Sequence, residues 1–215
     1  MSTIMLIRAG VTDYDDDHRL LGTLNVPLNS RGRQQIDEVI QQLQERQLNP
    51  ELILGSPDDP AAESAKLLSG AIPTAKLKLV EELRNVNQGL WQGLPEDEVR
   101  ARFPRIFRSG RGNPAGICAP EGESLADACR RIEGVLERAI RKYSQVAVLA
   151  PEPLATAVLC VLKGRPVRLT ECLCGDESTA MFEVIEAGSF DAEAVNLNGN
   201  SQDNGLVVAG KGSHS

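Results

Sequence analysis

Arg8 ends a short apolar run, Ile4-Met5-Leu6-Ile7, and is followed by Ala9 and Gly10; a second run, Val146 to Leu149, leads into Ala150-Pro151-Glu152. In an open parallel sheet, loops leaving the carboxyl ends of neighbouring central strands converge on one crevice, so these two tripeptides are expected to face each other. A guanidinium in such a crevice can hold an anion. Covalent catalysis there would further need a nucleophile and a proton donor, and neither Ala9 nor Pro151 has an atom for either role.

Other reactive side chains are few. The two histidines are His18 and His214, and neither directly follows a strand end. His18 comes after Asp15-Asp16-Asp17, and with Asp13 this run resembles a divalent-cation loop, although a solvated acidic loop is the commoner outcome and no metal is expected. Ser56 and Ser64 have no neighbouring histidine to act as base, so they read as a turn residue and a helix residue. Five cysteines form an odd set, expected as reduced thiols; Cys172 and Cys174 have no second pair beside them to complete a zinc site. Trp91, in a glycine-flanked segment, reads as a packing residue.

Composition narrows the classes of function. With 215 residues, 41% hydrophobic and 25% charged, the chain suits one globular α/β domain. One Trp, two Tyr and four Phe leave the core to aliphatic side chains. A net charge of −7 disfavours nucleic acid or an anionic membrane as a partner, and the basic residues from Arg100 to Arg111 are too sparse to change that. No segment is long and apolar enough to span a bilayer, and a cytoplasmic location is expected.

The elements that must position Arg8 and Glu152 follow from periodicity and punctuation. Thr3 to Ile7 reads as a buried strand opening into a loop over residues 9–29. Ser30 is expected to cap a helix whose Ile36, Val39, Ile40 and Leu43 share a face, with Asn49 and Pro50 beyond it. Strands around 52–54 and 77–80 flank a helix over 61–68, a βαβ rhythm that implies parallel pairing. Residues 84–122 are rich in Gly and Pro, with a helix near 96–102, and read as a lid or insertion. Ser124 with Asp127 caps a long helix ending near Tyr143, and Leu154 to Leu162 forms another. Closing strands are expected at 179–185 and 193–197, within a domain over 1–198, with a disordered tail at 199–215.

The stretch Leu6-Ile7-Arg8-Ala9-Gly10-Val11-Thr12-Asp13-Tyr14-Asp15 resembles the first motif of the phosphoglycerate mutase-like histidine phosphatases, where the strand ends in Arg-His-Gly. The likeness continues through Gly22, Pro27-Leu28-Asn29, Arg31-Gly32, Ser56-Pro57, Glu63-Ser64-Ala65, Gly89-Leu90-Trp91-Gln92-Gly93 and Gly122-Glu123-Ser124, over roughly residues 3–198. It implies a three-layer α/β/α sandwich with a mostly parallel central sheet. It also implies losses. The phosphate-accepting histidine falls on Ala9, the second histidine on Pro151, the phosphate-clamping arginine on Pro60 and the acid on Asn85. The pocket asparagine becomes Asp15, and the glycine after the second histidine becomes Glu152.

Of the phosphate ligands that the resemblance implies, Arg8 and Thr12 remain, and Arg19 is a candidate additional cation. Arg8 is expected to pair with Asp15 or Glu152; a residual anion site is the alternative. The implied function is that of a catalytically inactive member with a binding or regulatory role, without a cofactor. Its partner would be a protein or a small ligand, neutral or cationic given Asp15 and Glu152, and a homodimer is compatible with either. A weak or altered phosphatase acting on a small phosphate ester is the alternative function.

Overall fold

The structure is a computed structural model that describes residues 2–109, 114–165 and 180–187. Cys172, Cys174, His214, the strand expected at 193–197 and the tail expected at 199–215 lie outside the described residues.

Five strands form one sheet in the order β3-β2-β4-β1-β5. They are β1 (Ser2–Arg8), β2 (Leu52–Gly55), β3 (Lys76–Leu79), β4 (Gln145–Ala150) and β5 (Phe182–Ala187). The first four are mutually parallel and β5 pairs antiparallel with β1. Successive side chains of a strand point to opposite faces, and every central position here is apolar, so both faces must be covered. Ile4 and Leu6 of β1, with Val146 and Val148 of β4, pack under α6 (Leu125–Lys142) and α7 (Leu154–Lys163). Met5 and Ile7, with Ala147 and Leu149, pack on the other face under α2 (Ser30–Glu45) and α3 (Ala61–Ala71). The result is the mostly parallel α/β arrangement expected from the sequence.

The helices begin where short polar side chains take up free N–H groups. Ser124 and Asp127 form the expected capping box on α6, and Asp127 is held below its ordinary pKa chiefly by the Ser124 hydrogen bond. The cap of α2 is Asn29, not Ser30: its side chain accepts from Gly32 N at 2.8 Å. Residues 9–29 are not all loop either. Asp13–Asp16 form the short helix α1, closed by a second capping box in which Thr12 and Asp15 reciprocate.

Beyond β3, a 3-10 turn at Gly89–Trp91 is followed by α4 (Glu96–Arg102) and α5 (Pro104–Ser109), the second of which the sequence reading did not anticipate. Trp91 is buried against Phe103 and Phe107, with ring centroids 5.5 and 5.9 Å away, and with Leu20, Val99 and Ile117 it forms a separate small core. Among the described residues no helix is long and apolar enough to cross a membrane.

Candidate functional site

The register of the sheet sets the site. Arg8 lies opposite Ala150 in the β1–β4 ladder, so the two chains leave the sheet side by side, and a recess of about 480 Å³ opens above them. Its wall includes Arg8, Ala9, Gly10, Asp15, His18, Arg19, Pro60, Pro151 and Glu152. Arg8, Asp15, Arg19 and Glu152 thus meet at one place, together with Ala9, Pro60 and Pro151, while Thr12 and Asn85 do not line it.

Arg8 is buried and committed. Its Nε donates to Glu152 Oε1 at 2.8 Å and its Nη1 donates to the Ala180 carbonyl at 2.6 Å. Nη2 is buried and has no hydrogen-bond partner among the described residues. The second Glu152 oxygen accepts from Thr156 N at 3.2 Å and from Thr156 Oγ1 at 2.9 Å, a side chain one turn along at the start of α7. Burial pushes the Glu152 carboxyl above the usual carboxylate range, against the opposing pull of Arg8 and Thr156. Of the two carboxylates expected near Arg8, Glu152 makes the pair; Asp15 Oδ2 instead accepts from Thr12 N at 2.6 Å and Thr12 Oγ1 at 2.7 Å.

That capping box also removes Thr12 from the set of available ligands, because its fully buried hydroxyl donates to Asp15 and accepts from Tyr14 N. Arg19 lines the recess, but its Nη1 donates to the Gly93 carbonyl at 2.8 Å. His18 is exposed at the rim, and no cluster able to hold a metal ion occurs among the described residues.

The N–H groups of residues 9–12 and 154–156 are all engaged. Ala9 N donates to Ala150 O at 3.0 Å, Gly10 N to Ser64 Oγ at 3.1 Å and Val11 N to Gln35 Oε1 at 3.0 Å. On the facing loop, Leu154 N donates to Asn85 Oδ1, Ala155 N to Pro151 O and Thr156 N to Glu152. Ser64 Oγ donates a hydrogen bond to Pro60 O at 2.8 Å, while Ser56 Oγ accepts from Asp58 N in a turn, so both serines have structural partners. The first loop is also pressed onto the start of α2: a Cβ on Gly32 would lie 2.1 Å from Val11 O, and one on Gly10 2.3 Å from Gly32 O.

Asn85 acts as a staple. Its Nδ2 donates to Glu152 O at 2.8 Å while its Oδ1 accepts from Val86 N and Leu154 N, all within a nearly solvent-free setting. Several participants were not found from sequence. Thr156 was signalled by its place four residues after Glu152 at a helix start, and Gln35 by none. The Ala180 carbonyl and Met181 come from a segment far along the chain, which no local pattern ties to Arg8.

The sequence profile of the histidine phosphatase superfamily (branch 1) matches residues 4–198. Phosphoserine phosphatase 1 of Hydrogenobacter thermophilus is 28% identical over 169 residues, covering 76% of this chain and 77% of that protein. Glucosyl-3-phosphoglycerate phosphatase of Mycolicibacterium vanbaalenii is 28% identical over 173 residues, covering 76% and 75%. The solved structure of a mycobacterial glucosyl-3-phosphoglycerate phosphatase complexed with VO3 superposes with a TM-score of 0.67 at 26% identity, covering 76% of this chain and 83% of that one.

Proposed function

Because the chain belongs to the histidine phosphatase superfamily, we propose that it is a catalytically silent member whose sheet-end recess serves binding or regulation. The observation that carries this reading is the Arg8–Glu152 pair beside Ala9. A carboxylate occupies the guanidinium edge where the resemblance expects a phosphate, and the adjacent residue has no atom able to attack phosphorus. Pro60, Asn85 and Pro151 add to the losses, since none can clamp a phosphate as a cation or pass a proton to a leaving group at neutral pH. The binding role implies a protein or small-ligand partner.

A second reading is favoured by the names of the relatives, which are phosphatases: a weak or altered phosphatase acting on a small phosphate ester. Steady-state phosphate release from aryl phosphates, phosphoserine and sugar phosphates, with and without Mg²⁺ or Mn²⁺, separates the two. The silent reading expects no release above buffer. Turnover that disappears in Arg8→Met would establish the second reading instead.

A further inference from the structure

The wall of the recess carries both signs of charge in balance. Arg8, Arg19 and Arg31 are matched by Asp15, Glu96 and Glu152, with His18 beside them. Arg8 and Glu152 pair with each other at 2.8 Å. The other four are open to solvent: Arg19 and Arg31 keep 40% and 59% of their side-chain surface, Glu96 keeps 24%, and Asp15 is exposed. Each also keeps unspent hydrogen-bonding capacity among the described residues. Arg19 donates from Nη1 to the Gly93 carbonyl and approaches Asp17 through Nε at 3.5 Å, while Arg31 donates from Nη2 to Asp16. A guanidinium has further N–H bonds to offer, and exposed ion pairs of this kind are weak enough to be shared with a ligand. Asp15 accepts through Oδ2 and Glu96 through Oε1, which leaves Oδ1 and Oε2. Charge decides what fits. A simple anion meets two guanidiniums but also two carboxylates, and the N–H groups of residues 9–12 and 154–156 that could hold a phosphate are engaged. A simple cation meets the same opposition from the other sign. A molecule with one charge of each sign satisfies both. Its body has a place as well, since Ala9, Val11, Leu21, Pro151 and Met181 make the rest of the wall largely apolar, and about 480 Å³ is the size of a site for an organic molecule.

We propose that the recess binds a small zwitterion with an apolar body, the chemistry of an α-amino acid with an apolar side chain, its carboxylate toward Arg19 and Arg31 and its ammonium toward Asp15 and Glu96. This inference rests on the binding role proposed above for the same recess.

Four probes that share a ring and differ in charge test it: L-phenylalanine, 2-phenylethylamine, 3-phenylpropanoate and 2-phenylethanol. The amine lacks only the carboxylate of phenylalanine, the propanoate lacks only its ammonium, and the alcohol is neutral. Protein labelled with carbon-13 at the methionine methyls reports their place, because Met181 lines the recess and Met5 is sealed in the core. At neutral pH, L-phenylalanine is expected to shift the Met181 methyl saturably while Met5 stays fixed. The other three are expected to bind at least about threefold more weakly, the scale of one partly exposed charge contact. Arg31→Gln is expected to bring phenylalanine down toward the amine without weakening the amine, and Glu96→Gln to bring it down toward the propanoate without weakening the propanoate. Should one variant not fold, the other variant and the ranking on the parent protein still decide. The inference is overturned if no probe moves Met181, if any of the three partial probes matches phenylalanine, or if a folded variant leaves the parent's ranking and spacing unchanged. Each of these results leaves the silent reading standing, and that reading falls only to phosphate release in the assay above.

Discussion

At Arg8 and Glu152 the attraction and the desolvation oppose each other. Taking both charges out of water costs several kcal/mol per ion, and the pair recovers much of this only because Thr156 satisfies the second carboxylate oxygen. The raised Glu152 pKa shows that burial has the larger share. Between the ordinary value of 4.5 and the raised one, the folded protein holds a proton that the unfolded chain has lost. Stability from this group is therefore full below the ordinary value and lost as pH rises through the folded one. Glu152→Gln, which imitates the protonated form, is expected to gain stability relative to the parent as pH rises through that window, as read by urea midpoints at a series of pH values. Removing the cation acts in the opposite sense. Arg8→Met strands a buried carboxylate and is expected to cost about 3–5 kcal/mol at neutral pH, with a smaller loss in acid, while Arg8→Met combined with Glu152→Met is close to neutral.

At the scale of elements, the site is held by contacts between loops that leave different strands. Asn85, just beyond β3, ties the carbonyl of Glu152 and the first N–H of α7 into one cluster. Asn85→Asp keeps the acceptor but loses the donor and turns a carboxylate toward the Glu152 carbonyl. It is expected to lower stability by about 1–3 kcal/mol by calorimetry, the penalty of an unmade buried hydrogen bond. Gly32→Ala tests the other wall: its Cβ would fall 2.1 Å from Val11 O, so residues 9–12 must move off α2. The expected sign is a loss of hydrogen-exchange protection at Val11 and Thr12 with α6 unaffected. These dependences explain what the sequence disclosed. Strand runs, helix faces and the Ser124–Asp127 box are local, so β1, β2, β4, α2, α6 and α7 could be placed from it. Thr12–Asp15 is the same local signal, but the acidic run around it reads as solvated loop and masks α1. α5 was hidden by Pro104 within a Gly- and Pro-rich stretch. The Arg8 bond to Ala180 joins residues 172 positions apart, and nothing in either neighbourhood announces it.

Across the whole molecule, the positions where the family resemblance expects catalytic groups are spread over four strand ends. Ala9 follows β1, Pro60 follows β2, Asn85 lies beyond β3, and Pro151 with Glu152 follows β4. Each is part of a local hydrogen-bonding arrangement: Pro60 O accepts from the Ser64 hydroxyl, Asn85 holds the Glu152 carbonyl, and Glu152 holds Arg8. Restoring one residue leaves the other arrangements in place. An imidazole at position 9 would stand next to an arginine whose Nε is occupied by Glu152, beside residues 9–12 whose N–H groups are already engaged, and opposite a proline that can neither donate nor accept a proton. Ala9→His alone is therefore expected to give neither phosphate release nor acid-labile phosphate on the protein after incubation with p-nitrophenyl phosphate, measured by phosphorus-31 spectroscopy. The parent chain is expected to be equally blank, since His18 sits exposed on the rim and not at the end of a strand. Robust turnover from the single Ala9→His variant would mean that Glu152 yields its place to phosphate, and acid-labile phosphate on His18 of the parent would mean that the chemistry has moved to the acidic loop; either result returns phosphoryl transfer to this fold.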